Sequence, residues 1–339
     1  MKQTREDLKE MQSWNLDRKI MVAETRILEW CSKLDWNVYV AFSGGKDSCV
    51  LANLVASVWS AYDIKEPLNL VFSDTGMEYI GIIKHLDIYK KYLIDKYDIK
   101  VNLIKVRSEY NTHTIYKEIG YPILSKKIAR QLRDISNPTD KNYNTRKLYV
   151  TGIKKDGTKA KSFKLAEKWQ KLFKINKENY SAELPFKVSE KCCDYFKKAP
   201  LKKYEKETGQ SPIIGTMTDD SQSREQSWLI TGCNNFAEGH KQSKPISFYL
   251  QQDILAYIIK YNIPISIVYG EVVEKLDGKL ITTGEHNTGC KYCMFGSHME
   301  KGETRFERLK KLEPKSYDYA MSEEGLGMAK ILDFLNIKR

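Results

Sequence analysis

The segment from Val38 to Trp59 most constrains what this chain can fold into. A short apolar run, Val38-Tyr39-Val40-Ala41-Phe42, reads as a strand and stops at Ser43-Gly44-Gly45-Lys46-Asp47-Ser48. Beyond the turn, Val50, Leu51, Leu54, Val55, Val58 and Trp59 recur along one face of a helix. Two glycines between a strand and a helix let backbone N–H groups converge on an anion, and the helix N-terminus adds its positive dipole end. Lys46 supplies a mobile cation for phosphate oxygens, and the Ser43 and Ser48 hydroxyls add hydrogen bonds. Asp47 either caps the helix or helps hold a metal. The spacing is not that of a Walker A loop. A phosphate-binding loop is expected.

The flanking pattern places that loop in a sheet. A second strand, Leu68 to Phe72, runs into Ser73-Asp74-Thr75-Gly76, a helical stretch covers Glu78 to Tyr97, and a third strand spans Val101 to Val106. Strand–helix–strand–helix–strand implies right-handed crossovers and a parallel α/β sheet with helices on both faces. Ligands of such sheets sit beyond the carboxyl ends of the strands, where both Ser43-Gly44-Gly45 and Asp74-Thr75-Gly76 fall.

Residues 4–34 show helical periodicity through Leu8, Met11, Ile20, Ile27, Leu28 and Cys31. From Gly120 to Leu201 the pattern turns irregular, basic and rich in Tyr and Lys, with a small hairpin expected at Asp156-Gly157. Sheet signal returns at Pro212-Ile213-Ile214-Gly215, and a helix near Tyr249–Tyr261 stops at Ile263-Pro264. The tail after Cys293 is helical and charged, broken by Pro314, Gly325 and Gly327. The expected organisation is an N-terminal helix (1–34), a nucleotide-binding core (35–135 and 210–270), a basic helical insertion (136–209) and a cysteine-rich C-terminal lobe (271–339).

No apolar run approaches the roughly 20 residues of a membrane span, and Met1 to Asp7 is no signal-peptide core. A cytoplasmic protein with no membrane partner is expected. The net charge of +12 is uneven: residues 140–180 hold twelve Lys/Arg against four Asp/Glu. Such a run is either a solvated face or a contact surface for a polyanion such as nucleic acid. The 21 tyrosines suit base stacking or any half-buried basic surface.

Seven cysteines are too clustered for a secreted disulfide framework. Cys192-Cys193 and Cys290-x-x-Cys293 offer four soft thiolates, suited to tetrahedral zinc or to an iron–sulfur cluster. Adjacent cysteines point apart in extended backbone, which fits a cubane better than one ion. Cys31, Cys49 and Cys233 read as small core residues. His286 and His298 flank the second pair and either tune the cluster or sit at the surface, the latter favoured for His298. Lys126, Lys127, Arg130 and Arg133 either line a cleft or are solvated.

Over residues 35–300 the sequence resembles the adenine-nucleotide α-hydrolase superfamily with pyrophosphate loops, and more narrowly the phosphoadenosine phosphosulfate (PAPS) reductase family. The resemblance lies in Ser43-Gly44-Gly45-Lys46-Asp47-Ser48, Asp74-Thr75-Gly76-x-Glu78 and Cys192-Cys193 with Lys197, Lys198 and Pro200. It continues through Gly215 with Asp220-Ser221-x-x-Arg224, Pro245, Asp253-Ile254-x-x-Tyr257-Ile258 and Thr288-Gly289-Cys290-x-x-Cys293. It implies an adenylate on the loop, near Asp74, Thr75, Gly76, Gly215 and Ser221. It also implies a phosphate contact at Arg224 and a [4Fe-4S] cluster on Cys192, Cys193, Cys290 and Cys293. Lys46, Asp47 and Arg224 are then the expected catalytic residues.

Two departures shape the expected activity. Reductases of that family carry a nucleophilic cysteine in a C-terminal motif, whereas no cysteine follows Cys293 here. Their Gly-x-Arg anion contact reads Gly215-Thr216-Met217. Similar proteins that keep loop and cluster without that cysteine are the ATP pyrophosphatases of DNA phosphorothioation and some tRNA thiolases. The first expectation is therefore ATP-dependent, Mg2+-assisted activation of an acceptor, DNA or tRNA, for sulfur delivered by a cysteine desulfurase or another donor. Reduction of PAPS or adenylylsulfate is the second, and a non-catalytic nucleotide- or nucleic-acid-binding partner the third.

Overall fold

The computed structural model describes residues 3–339. The periodic stretch at the N-terminus forms two helices, α1 (Arg5–Ser13) and α2 (Leu16–Lys33). The break falls at Trp14-Asn15, where Asn15 leaves the helical conformation and its side chain caps α2 by accepting from the Arg18 N–H. The described chain then divides into two compact units, the first comprising 3–74, 78–108 and 197–289, the second 75–77, 109–196 and 290–339.

The first unit is a mixed α/β structure around a mainly parallel sheet. Its strands are β1 (Val38–Ala41), β2 (Leu68–Asp74), β3 (Val101–Arg107), β4 (Ser211–Ile214), β5 (Asn234–Asn235) and β6 (Gln242–Ser243). Their order is β3-β2-β1-β4-β6-β5, with only β5 antiparallel to its neighbour. Side chains alternate between two faces along each strand. Val38, Val40, Leu70, Phe72 and Val101 join a large core with α2, α3 (Lys46–Ala61), α4 (Ile80–Tyr97) and α7 (Gln251–Tyr261). Tyr39, Val71, Ile104 and Val106 point the other way, against Leu201 and Tyr204 of α5 (Ala199–Thr208). Helices thus cover both faces, as the sequence implied.

α3 is buried nearly all round, so its polar residues need internal partners. Asn53 has them: its amide donates to Tyr92 (3.2 Å) and its carbonyl accepts from Tyr97 and Tyr257 (both 2.9 Å). Lys19 of α2 is likewise buried, with its ammonium on the Gln12 carbonyl (2.8 Å) and Asp253 (2.6 Å) at the start of α7.

The second unit is mostly helical. It includes helices Lys126–Ser136, Tyr143–Thr151, Glu167–Leu172, Arg305–Leu312, Pro314–Met321 and Met328–Phe334, with Met294–Phe295 paired in parallel to Ile123–Leu124. The expected turn at Asp156-Gly157 is closed by a single bridge between Ile153 and Lys159. Pro314 opens a helix at its first turn, a position that needs no N–H, where the sequence reading had only a break. Among the described residues no helix is long and apolar enough to cross a membrane.

Candidate functional site

The loop expected to hold phosphate lies at the carboxyl end of β1. Gly44 has φ +70, and a Cβ there would stand 2.8 Å from Leu86 Cδ2, so glycine meets both the backbone and the space. Gly45 is the N-cap of α3 and brings no side-chain cap, so the first-turn N–H groups take their acceptors from beyond the helix. Ser43 and Ser48 fix the turn: the Ser43 hydroxyl donates to Ser48 Oγ (3.1 Å), which donates to the Gly45 carbonyl (2.8 Å).

Lys46 is only 2% exposed, and its ammonium donates to Asn287 Oδ1 at 2.9 Å. It also stands 3.3 Å from Asp47 Oδ1, within ion-pair range. That oxygen is buried and lacks a hydrogen bond of good geometry, so its link to Lys46 is mainly Coulombic. Burial raises the Asp47 carboxyl, against the attraction of Lys46; Asp220 pushes the same way as burial and Arg224 opposes it. Asp220 and Arg224 pair with each other, and Ser221 caps helix α6 (Gln222–Thr231) by accepting from the Arg224 N–H. Gly215 packs on the first turn of α3, where a Cβ would meet the Asp47 carbonyl at 3.5 Å. Lys46, Asp47, Asp220, Arg224 and Gly215 therefore share one neighbourhood.

Asp74 ends β2 and is held by Arg107, with Nη2 at 2.6 Å. Between the ends of β1 and β2 lies a cavity of about 110 Å3, lined by Phe42, Ser43, Val71, Ser73, Glu78 and Ile82 among others. Thr75 and Gly76 belong to the second unit, where the Thr75 carbonyl accepts from Thr112 (3.5 Å) and the Met77 carbonyl from the Lys291 N–H (2.8 Å).

Two residues at the loop, Tyr269 and Asn287, had no signal in the sequence, and a third, Thr288, entered only through the resemblance. The Lys46 N–H donates to the Tyr269 hydroxyl (3.2 Å), which is 2.5 Å from Thr288 Oγ1, and Asn287 holds the ammonium. Over 200 residues separate Tyr269 and Asn287 from Lys46, so only folding reveals the pairing.

The four candidate metal-ligating cysteines all lie in the second unit, and none is in a disulfide. The Cys192 thiol is pushed far up, first by its hydrogen bond with Cys193, then by burial and the charges of Cys193, Cys293 and Cys290. Burial, with Cys290 beside it, raises Cys293 to about 11. Burial raises Tyr116 too, and all four thiols add to the effect, so all four lie within electrostatic range of one buried phenol. Among the described residues no three His, Cys, Asp or Glu side chains are grouped to hold a metal ion. His298 packs edge-on against Trp169, and His286 Nδ1 lies 3.3 Å from Thr282 Oγ1. Lys127 and Arg133 are committed inside the second unit, Lys127 to the Ser162 carbonyl and Arg133 to Asp134 and Glu190.

No family model matches the sequence, and no curated protein matches it. Among solved structures, phosphoadenylyl-sulfate (PAPS) reductase from Candida auris, in a phosphate complex, is similar at a TM-score of 0.37 and 12% identity. The match covers 82% of this chain and 98% of that one. An overlay this loose supports no statement about chemistry.

Proposed function

We propose that this chain is a pyrophosphate-loop enzyme that binds an adenine nucleotide, most readily ATP, and activates an acceptor oxygen for sulfur transfer. The observation that carries the reading is the start of α3, where Gly45 brings no side-chain cap and the buried Lys46 ammonium stands beside the first turn. The cavity beside Ser43 has apolar walls from Phe42, Val71 and Ile82, suited to a base or ribose whose phosphates reach the loop. In the reaction the acceptor oxygen attacks the α-phosphorus, the bond to pyrophosphate breaks, and the departing charge falls on the loop N–H groups and Lys46. Asp47, with its orphaned buried oxygen, would hold Mg2+, which supplies further charge neutralisation. Met217, where the resembled reductases carry arginine, is buried in the apolar core and gives a sulfonucleotide no cation.

Cys192, Cys193, Cys290 and Cys293 fit a [4Fe-4S] cluster in donor type: four thiols outside any disulfide, all within electrostatic range of Tyr116. Tetrahedral zinc would need sulfurs about 3.8 Å apart, from Zn–S bonds of about 2.3 Å. A cubane binds each thiolate to its own iron, with the sulfurs farther apart, and would supply a soft, redox-capable centre. Nine lysines between residues 140 and 180 are exposed, which supports DNA or tRNA as the acceptor, with a persulfide-bearing protein such as a cysteine desulfurase as donor.

Anaerobically purified protein tests both parts. Iron and sulfide should be present together, and ATP with Mg2+ should release pyrophosphate, faster once the acceptor is supplied. Sulfite from PAPS or adenylylsulfate with a thiol reductant would overturn the ranking, and zinc without sulfide would remove the cluster.

A further inference from the structure

Most exposed apolar side chains on a folded surface need no explanation. Phe163 is different because of what holds it and what surrounds it. It is 49% exposed and ends a short turn, Lys161–Phe163, in the second unit. Two side chains of the helix Lys126–Ser136 grip the backbone beneath it. Lys127 donates to the Ser162 carbonyl, and Gln131, itself 2% exposed, donates to the Phe163 carbonyl at 2.6 Å. Lys127 and Gln131 lie one turn apart on one face of that helix, so two successive carbonyls are held from the same side. The Phe163 N–H donates to the Ala160 carbonyl (2.9 Å), and the Leu165 N–H to the Tyr149 carbonyl (2.7 Å). The backbone is fixed, and the ring is left outside. Tyr143 is exposed too, but its ring is already taken, by Tyr180 with centroids 5.5 Å apart and by the Arg146 guanidinium at 5.8 Å. Among the described residues no aromatic ring or cation stacks on Phe163.

The chain that leads to Phe163 doubles back on itself. The Ala160 N–H donates to the Gly152 carbonyl (2.7 Å), Ile153 bridges Lys159, and the Lys154 N–H donates to the Thr158 carbonyl (2.9 Å). Gly152 has φ +75, and a Cβ there would stand 3.2 Å from Lys164 Cβ and 3.7 Å from Lys161 Cα. The turn therefore closes onto the segment that bears Phe163 and brings its cations there. Lys154, Lys155, Lys159 and Lys161 are all exposed. The two carboxylates of this stretch have other work: Asp156 accepts from the Thr158 N–H (2.9 Å) and hydroxyl (2.7 Å), and Glu167 pairs with Lys164 (3.2 Å).

An aromatic face held out among cations suits a ligand that offers π-faces and negative charge together. Single-stranded nucleic acid does so, because its bases are free to stack on a side chain while its phosphates meet the lysines. A duplex keeps its bases stacked on one another and shows only their edges.

We propose that Phe163 is the stacking platform for an unpaired base of a single-stranded nucleic acid, with Lys154, Lys155, Lys159 and Lys161 taking the phosphates on either side. This rests on the nucleic-acid acceptor of the reading above and narrows it to unpaired nucleotides.

The test titrates the whole protein, purified anaerobically, into short fluorescein-labelled strands and follows fluorescence anisotropy. The strands are oligothymidylate, oligouridylate and a DNA duplex of equal length. The single strands should bind more tightly than the duplex at equal salt, the tighter of the two identifying DNA or RNA as the source. Phe163→Ala should weaken single-strand binding about tenfold, the loss of one stacked base. Its salt slope should not change, because no cation has been removed, and duplex binding should be unaffected. Phe163→Trp should bind as the parent does, and its added emission should be quenched by the bound strand. Should the alanine variant fail to fold by circular dichroism, that quenching decides alone. Unchanged single-strand affinity in folded Phe163→Ala, an equal loss on duplex, or no quenching in Phe163→Trp overturns the proposal. Pyrophosphate release with strand binding indifferent to Phe163 sinks this inference alone; Phe163-dependent binding without ATP turnover sinks the enzymatic reading alone.

Discussion

A lysine ammonium 2% exposed is unusual unless acceptors surround it, and Lys46 has one amide oxygen and one off-axis carboxylate. That set is poor for a buried cation, and phosphate oxygens would complete it. Lys46→Ala should weaken ATP by about 1.5–3 kcal/mol, the range for hydrogen bonds to charged groups, measured by titration calorimetry. Asp47→Ala should spare binding but remove the Mg2+ response of turnover. An unchanged affinity in Lys46→Ala would move the phosphate site off this loop. Arg224 has a different standing from Lys46: it is paired with Asp220 and reaches Asp47 through charge. Its contribution is therefore to the field around Asp47 in the absence of ligand.

At the scale of elements, the segment Tyr269–Thr288 occupies the donors that a nucleotide needs. Asn287 takes the ammonium, and the Tyr269 hydroxyl takes the first N–H of α3. Asn287→Asp should place a carboxylate where phosphate must come, weakening ATP about tenfold, or about 1.4 kcal/mol, a modest value for a charge pair near a surface. Asn287→Ala should bind ATP as well as the parent or better. Weaker binding in the alanine variant would make Asn287 a contact to the ligand and not its stand-in. This segment also marks where sequence reading stops. β1, the loop and α3 were legible because apolar periodicity and glycine chemistry act over neighbouring residues, and β2, α4 and β3 followed by the same logic. Tyr269 and Asn287 meet Lys46 only through tertiary contact. The break at Trp14-Asn15 was missed for a different reason: apolar spacing continued across it, and the capping Asn15 was the weaker signal. Cys31, Cys49 and Cys233 do lie in the apolar core, as their apolar sequence contexts implied.

Over the whole molecule, charge is the property that no single site explains. Of the net +12, the stretch 140–180 holds twelve Lys/Arg against four Asp/Glu. Not all of those cations are available. Arg146 is buried and spends its guanidinium on the Asn179 and Tyr180 carbonyls at 2.6 and 2.9 Å, and Lys164 pairs with Glu167. Lys154, Lys155, Lys159 and Lys161 are exposed around the turn at Gly157, with Phe163 half exposed beyond them. Like charges held together on a fold repel one another, and a polyanion that takes them up releases its own counterions. Binding of DNA or tRNA, followed by fluorescence anisotropy across a salt series, should therefore weaken steeply as salt rises. Each of these lysines that meets a phosphate contributes about 0.9 to the slope on duplex DNA. Changing all four to glutamine should flatten the line while leaving ATP affinity intact, because none of them lies in the unit that carries the loop Ser43–Ser48. A slope that survives the four changes would place the polyanion elsewhere on the surface. Binding that ignores salt altogether would mean that the stretch is a solvated face.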